Sequence, residues 1–88
     1  MVFLVTYDLN KPGKDYSSLY KTLKSAVTWW HYLDSTWLIE TSESSAVWYN
    51  KIAPSLDAND HILVIQVTKN YEGWLPKEAW DWIRERVF

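Results

Sequence analysis

The chain has 88 residues, room for one domain and no second, because single cores usually occupy about 100–150 residues. It contains no cysteine, which excludes disulfides and thiolate metal sites. Nine basic against eleven acidic residues leave a net charge of −2, which excludes a chain-wide basic field for gathering nucleic acid; such a role needs a local patch. The hydrophobic share of 48% is that of a globular chain. The apolar run Val2–Val5 is far too short to span a membrane and no signal-peptide pattern is present, so a soluble, cytoplasmic protein is expected. Seven Trp, six Tyr and two Phe are more large rings than so small a core can surround, and some are expected at an interface.

Val2 to Asp8 is β-branched, aromatic and apolar on both faces, which predicts a strand covered on two sides. Asn10-Lys11-Pro12-Gly13 breaks it, and Asp15 then stands as a cap for a helix over 15–26. Tyr16, Leu19, Tyr20, Leu23, Ala26 and Val27 form one face of that helix. Two β-rich runs, 29–33 and 36–41, flank Asp34-Ser35 and predict a tight hairpin. A two-residue loop sets Tyr32 opposite Trp37, His31 opposite Leu38, Trp30 opposite Ile39 and Trp29 opposite Glu40.

Ser42 to Ser45 offer hydroxyl caps for a short helix over 44–53, which Pro54 closes. His61 to Thr68 is again apolar on both faces and predicts the last strand. Beyond the turn Asn70-Tyr71-Glu72-Gly73, Pro76 opens a helix over 76–86 with Trp80, Ile83 and Val87 as its stripe.

This order is βαββαβ, an α+β ferredoxin-like domain: a four-stranded antiparallel sheet, two helices on one face, and a C-terminal helix. The core is 2–68 and the extension 69–88. Leu4, Val5, Leu63, Val64 and Ile65 place apolar residues on both sheet faces, so something covers the second one. A second copy of the chain is expected there, as a homodimer through the open face, with the C-terminal helix as the rival cover.

With strands one and three read as parallel, the ends of both meet the start of strand four, and that edge collects Asp8, Glu40, Asp60 and His61. Such carboxylates suit Mg²⁺ or Mn²⁺, which take oxygen ligands. The plainer reading has Asp8 bonded to the loop backbone and Asp60 starting a turn. His31, between Trp30 and Tyr32, reads as a surface or interface residue before it reads as a general base. With two Gly and two His in all, the chain has no Gly-rich phosphate loop, nucleophile elbow or helical His/Glu pair. Lys11, Lys14 and Lys21 with Tyr16 and Tyr20 make a small basic and aromatic group that can hold a phosphate backbone or simply face solvent.

The strand end Tyr7-Asp8-Leu9 and the hairpin with Tyr32, Ser35, Trp37 and Glu40 resemble the small CRISPR-associated endoribonuclease family, over about residues 2–68. The virulence-associated protein D ribonucleases are similar in the strand-ending Asp. The resemblance implies a homodimer in which Asp8 faces its mate across a two-fold axis and shares one metal ion with it. The catalytic candidates are then Asp8 and Ser35, with Asp8 as metal ligand. Glu40, Asp60 and His61 support them, and Lys11 or Lys14 lies on the phosphate. The first loop carries only these two lysines, and Arg84 and Arg86 stand at the far end of the chain, so weak phosphate binding is expected. Two functions follow: a metal-dependent nuclease acting on RNA or DNA, or a non-catalytic dimeric module whose aromatic surface binds a protein or nucleic-acid partner.

Overall fold

The computed structural model describes every residue except Val87, the last member of the expected C-terminal stripe, which therefore lies outside the described residues. The chain runs β1 (Val2–Asp8), α1 (Ser17–Leu23), β2 (Thr28–Leu33), β3 (Thr36–Glu40), α2 (Ser45–Ile52), a 3₁₀ turn (Ala53–Ser55), β4 (His61–Val67) and α3 (Lys77–Arg84). The sheet is antiparallel throughout in the order β2-β3-β1-β4, the ferredoxin-like arrangement with a C-terminal helix added.

Local chemistry sets the boundaries. Lys11 to Lys14 form a turn closed by the Lys14 amide on the Lys11 carbonyl at 3.2 Å. Pro12 occupies its second position and Gly13 its third with φ +78°, where only glycine is unstrained. Asp15 accepts from the Ser17 amide at 2.9 Å and so helps to start α1. That helix stops at Leu23, shorter than its apolar periodicity predicts, so Val27 falls off the stripe and is exposed. Ser44 caps α2 by accepting from the Val47 amide, and the Lys77–Asp81 pair at 2.9 Å braces α3.

Alternation along the strands sorts the core into two layers. Phe3, Val5, Tyr7, Trp37 and Ile39 face α1 and α2, where Tyr16, Leu19, Leu23, Trp48 and Ile52 complete the main core. Trp48 is fixed by its indole N–H, which donates to Thr41 Oγ1 at 3.0 Å. Val2, Trp30 and Leu38 face the other way and are covered by Ala79 and Ile83 of α3. The C-terminal helix is thus the cover of the second face over β1, β2 and β3. It is locked there by Trp82 Nε1 donating to Thr28 Oγ1 at 3.1 Å and by Arg86 on Glu40 at 3.4 Å. The cover stops short of β4, whose Leu63 and Ile65 stay half exposed on that side.

The hairpin register differs from the one a two-residue loop alone predicts. Leu33 pairs with Thr36 as expected, but Trp30 pairs with Leu38, Trp29 with Ile39 and Thr28 with Glu40. A β-bulge sets His31 and Tyr32 together opposite Trp37. One extra residue in β2 shifts every pair beyond it by one place. As a result Trp29, not Trp30, shares the α1 face with Ile39, and Trp30 is buried beneath α3.

Candidate functional site: a basic aromatic cleft between α1 and β2

The expected site residues divide between two ends of the sheet. Asp8 pairs with His61 across β1 and β4, both are exposed, and both line a shallow hollow with Thr6 and Leu63. Ser35 lies at the same end, its carbonyl accepting from the Tyr7 amide at 3.1 Å, with its own side chain exposed. Glu40 does not join them. Because β1 and β3 are antiparallel, Glu40 pairs with Val2 at the opposite end of the sheet and meets Arg86 there. The parallel reading of those two strands was the error, since a single intervening hairpin strand reverses direction.

Asp60 is occupied structurally. Its Oδ1 accepts from the Asn10 amide at 2.7 Å, its Oδ2 from the Asp57 amide at 2.7 Å, and the Tyr16 hydroxyl lies 2.8 Å from both oxygens. Partial burial pushes this carboxyl upward, but the two amides and the Tyr16 hydroxyl outweigh it, and its pKa is held below the usual value. Asp60 is therefore a latch between the β1–α1 loop and the turn before β4. The phosphate candidates are drawn into the same region: Lys11 pairs with Asp57 at 3.6 Å, and the Lys14 ammonium sits 5.2 Å from the Tyr16 ring centre. Among the described residues no three His, Asp or Glu side chains come together as a metal site. Asp8 and His61 are the two potential donors that the structure brings together at this end of the sheet.

A different group does converge. Two adjoining hollows share Tyr20 and Lys24 as their common wall. One is lined by Ser17, Ser18 and Lys21 of α1, and the other, of about 350 Å³, by Trp29 and His31 of β2 above Trp37. The buried Trp37 ring is its floor. His31 stacks on Trp37 at 4.1 Å between ring centres and 8° between planes, Trp29 packs at 5.2 Å and 48°, and Tyr20 stacks at 6.3 Å. The bulge is what brings Trp29 and His31 to this side together.

Each member is held in place. Trp37 Nε1 donates to the Tyr7 hydroxyl at 3.0 Å inside the core, and burial pushes the Tyr7 phenol above its ordinary pKa, so it stays neutral. His31 Nδ1 is 3.0 Å from the Thr36 carbonyl, which can only accept, so Nδ1 carries hydrogen and Nε2 remains for other work. The Lys24 ammonium lies 5.4 Å from the Trp29 ring centre. Lys21 and Lys24 are exposed, and among the described residues no carboxylate is paired with either.

Sequence reasoning grouped Lys21 and Tyr20 with Lys11, Lys14 and Tyr16 and missed that the cleft joins the first two to Lys24, Trp29 and His31 instead, although a signal for it was there. Between Asp15 and Asp34 the chain carries Lys21, Lys24 and His31 and not one carboxylate. In a protein of net charge −2 that stretch is a local cationic patch. Comparison of the chain with family models, with curated proteins and with solved structures found no match. Among the described residues no helix is long and apolar enough to cross a membrane.

Proposed function

We propose that this protein is a non-catalytic module that binds single-stranded nucleic acid in the cleft between α1 and β2. The observation that carries the reading is the shared wall of Tyr20 and Lys24. It sets exposed ammonium groups beside the half-buried Tyr20 ring and the partly exposed Trp29 ring, the two elements from which single-strand binding is built. Phosphates sit against Lys21 and Lys24, while a base stacks on Trp29 and hydrogen-bonds to His31. Stacking tolerates any base, so the module has little sequence preference. The separation of Asp8 from Glu40 and the engagement of Asp60 support binding over catalysis.

Fluorescence anisotropy with a labelled, unstructured oligonucleotide tests this. Two neutralised phosphates on a single strand predict a slope of about −1.4 in log K against log salt, with a dissociation constant of about 10⁻⁴ to 10⁻⁶ M. A salt-independent signal, or none at millimolar protein, overturns the reading.

A second reading keeps the nuclease of the CRISPR-associated endoribonuclease type. It is favoured by the exposed Asp8–His61 pair lying on the same sheet face as the uncovered Leu63 and Ile65. A second copy seated on those two residues would bring two Asp8 carboxylates near one another and complete a divalent-metal site. That reading expects a dimer mass in light scattering. It also expects a melting temperature that rises with Mg²⁺ or Mn²⁺, and oligonucleotide cleavage, with the metal shift and the cleavage both lost in Asp8→Asn. A monomer with no metal shift leaves the binding module alone.

A further inference from the structure

A pocket of about 160 Å³ lies between the second sheet face and α3, on the opposite side of the sheet from the basic cleft. Four aromatic residues line it: Trp30 of β2, Trp80 of α3, and Tyr71 and Phe88 from the segments before and after that helix. Tyr71 is their hub. Its ring centre lies 6.0 Å from that of Trp80 at 27° and 5.8 Å from that of Phe88 at 41°, so three rings adjoin as one aromatic wall. Apart from Thr36, the remaining uncharged residues of the lining are aliphatic. Glu72 is the one charged residue of the lining among the described residues; it is exposed, and no Lys or Arg among them is paired with it.

We infer that this pocket binds a small free quaternary ammonium compound, its trimethylammonium head against the wall of Tyr71, Trp80 and Phe88. Aromatic rings attract a cation through their quadrupole, and grouped rings are the usual means of recognising quaternary ammonium ligands. Glu72 supplies the complementary charge. Its carboxylate acts through space on a cation in the pocket it lines, with screening setting in only over about 8 Å. The lining also selects the kind of cation. A primary ammonium brings three N–H donors that an apolar wall leaves unpaired, whereas a quaternary nitrogen has none to satisfy. The volume agrees, because cavities near 150 Å³ take up one benzene ring, and a trimethylammonium group has similar bulk. No cation lines the pocket to hold a phosphate and Glu72 repels one, which favours a free molecule such as choline over a phospholipid headgroup.

Choline and 3,3-dimethyl-1-butanol test the inference, being the same shape with a charged nitrogen in one and a neutral carbon in the other. Each is titrated into the full ¹⁵N-labelled chain. Choline is expected to bind at least about fivefold more tightly, shifting the Trp80 indole and the Tyr71 amide and leaving the Trp29 indole of the basic cleft unmoved. Tyr71→Leu removes the central ring but keeps an apolar side chain, and Glu72→Gln removes the charge but keeps the shape. Both positions are exposed, so the fold should persist; each variant should lose affinity for choline and keep its affinity for the alcohol. Equal affinities in the wild type, saturation by neither compound, or a preference left unchanged by either variant overturns the inference. Phosphocholine should bind more weakly than choline, and the reverse order overturns the assignment to a free molecule in favour of a lipid headgroup.

Discussion

Replacing Trp37 with Ala is expected to lower the unfolding free energy by about 3–5 kcal/mol, which approaches the whole stability of a domain this small. Trp37, the second residue of β3, is 1% exposed. His31, Tyr20 and Trp29 all pack on its ring, so truncation removes the floor under three other aromatic side chains at once. The change also strips the Tyr7 hydroxyl of its indole donor within the core. Urea unfolding followed by circular dichroism measures the loss. A drop below about 1 kcal/mol would mean that the ring is not a core element and that the cleft has no rigid base. Trp37→Phe separates the two contributions: it keeps a ring for His31 to stack on while removing the indole donor to Tyr7, so its loss should be clearly the smaller.

Charge reversal in the cleft should have the largest functional effect. Lys21→Glu with Lys24→Glu turns two phosphate contacts into two repulsions, and at low salt the affinity for a single strand should fall by at least about tenfold. Trp29→Ala removes a stacking platform worth about 1–3 kcal/mol per base, a loss of roughly 5- to 150-fold. The two changes differ in salt dependence. The lysine pair should flatten the salt slope, whereas Trp29→Ala should lower affinity at every salt concentration and leave the slope unchanged. Lys21 and Lys24 are exposed, so their reversal should barely move the melting temperature, whereas Trp29 packs on Trp37 and its loss should lower the melting temperature modestly. Reversal at Lys11 and Lys14, which lie in the β1–α1 loop and do not line the cleft, should change binding far less.

Element order was legible because the signals were local. Alternation and β-branching mark β1 and β4, Pro12-Gly13 marks a turn whose third position needs positive φ, and Ser44 marks the start of α2. The plainer reading of Asp60 as a turn residue stands in part: it closes the turn that Asp57 opens, with its amide on the Asp57 carbonyl at 3.0 Å, and does not start one. What failed depended on relations between distant segments. Nothing in the residues 28–33 marks a bulge, since His31 and Tyr32 are each good strand residues. Yet the bulge decides which Trp faces α1 and which lies under α3. Glu40 was misplaced because strand direction, unlike strand identity, is a property of the whole chain path. The cover of the second face was open between a second copy and α3 because Ala79 and Ile83 form an apolar stripe of the sort either partner could meet. The cleft was read only in part, through Lys21 and Tyr20, for a related reason: Lys21 on α1 and Lys24 at its end join Trp29 and His31 only through the packing of that helix beside the edge strand.

The most direct test is a ¹H–¹⁵N titration of the wild-type protein with a short unstructured oligonucleotide, reading which residues respond. Shifts confined to Tyr20, Lys21, Lys24, His31 and the Trp29 indole are the expected result, with the Asp8, His61 and Leu63 amides unmoved. Shifts centred instead on Asp8 and His61, or a spectrum that does not change at all, would contradict the assignment of the α1–β2 cleft as the nucleic-acid site.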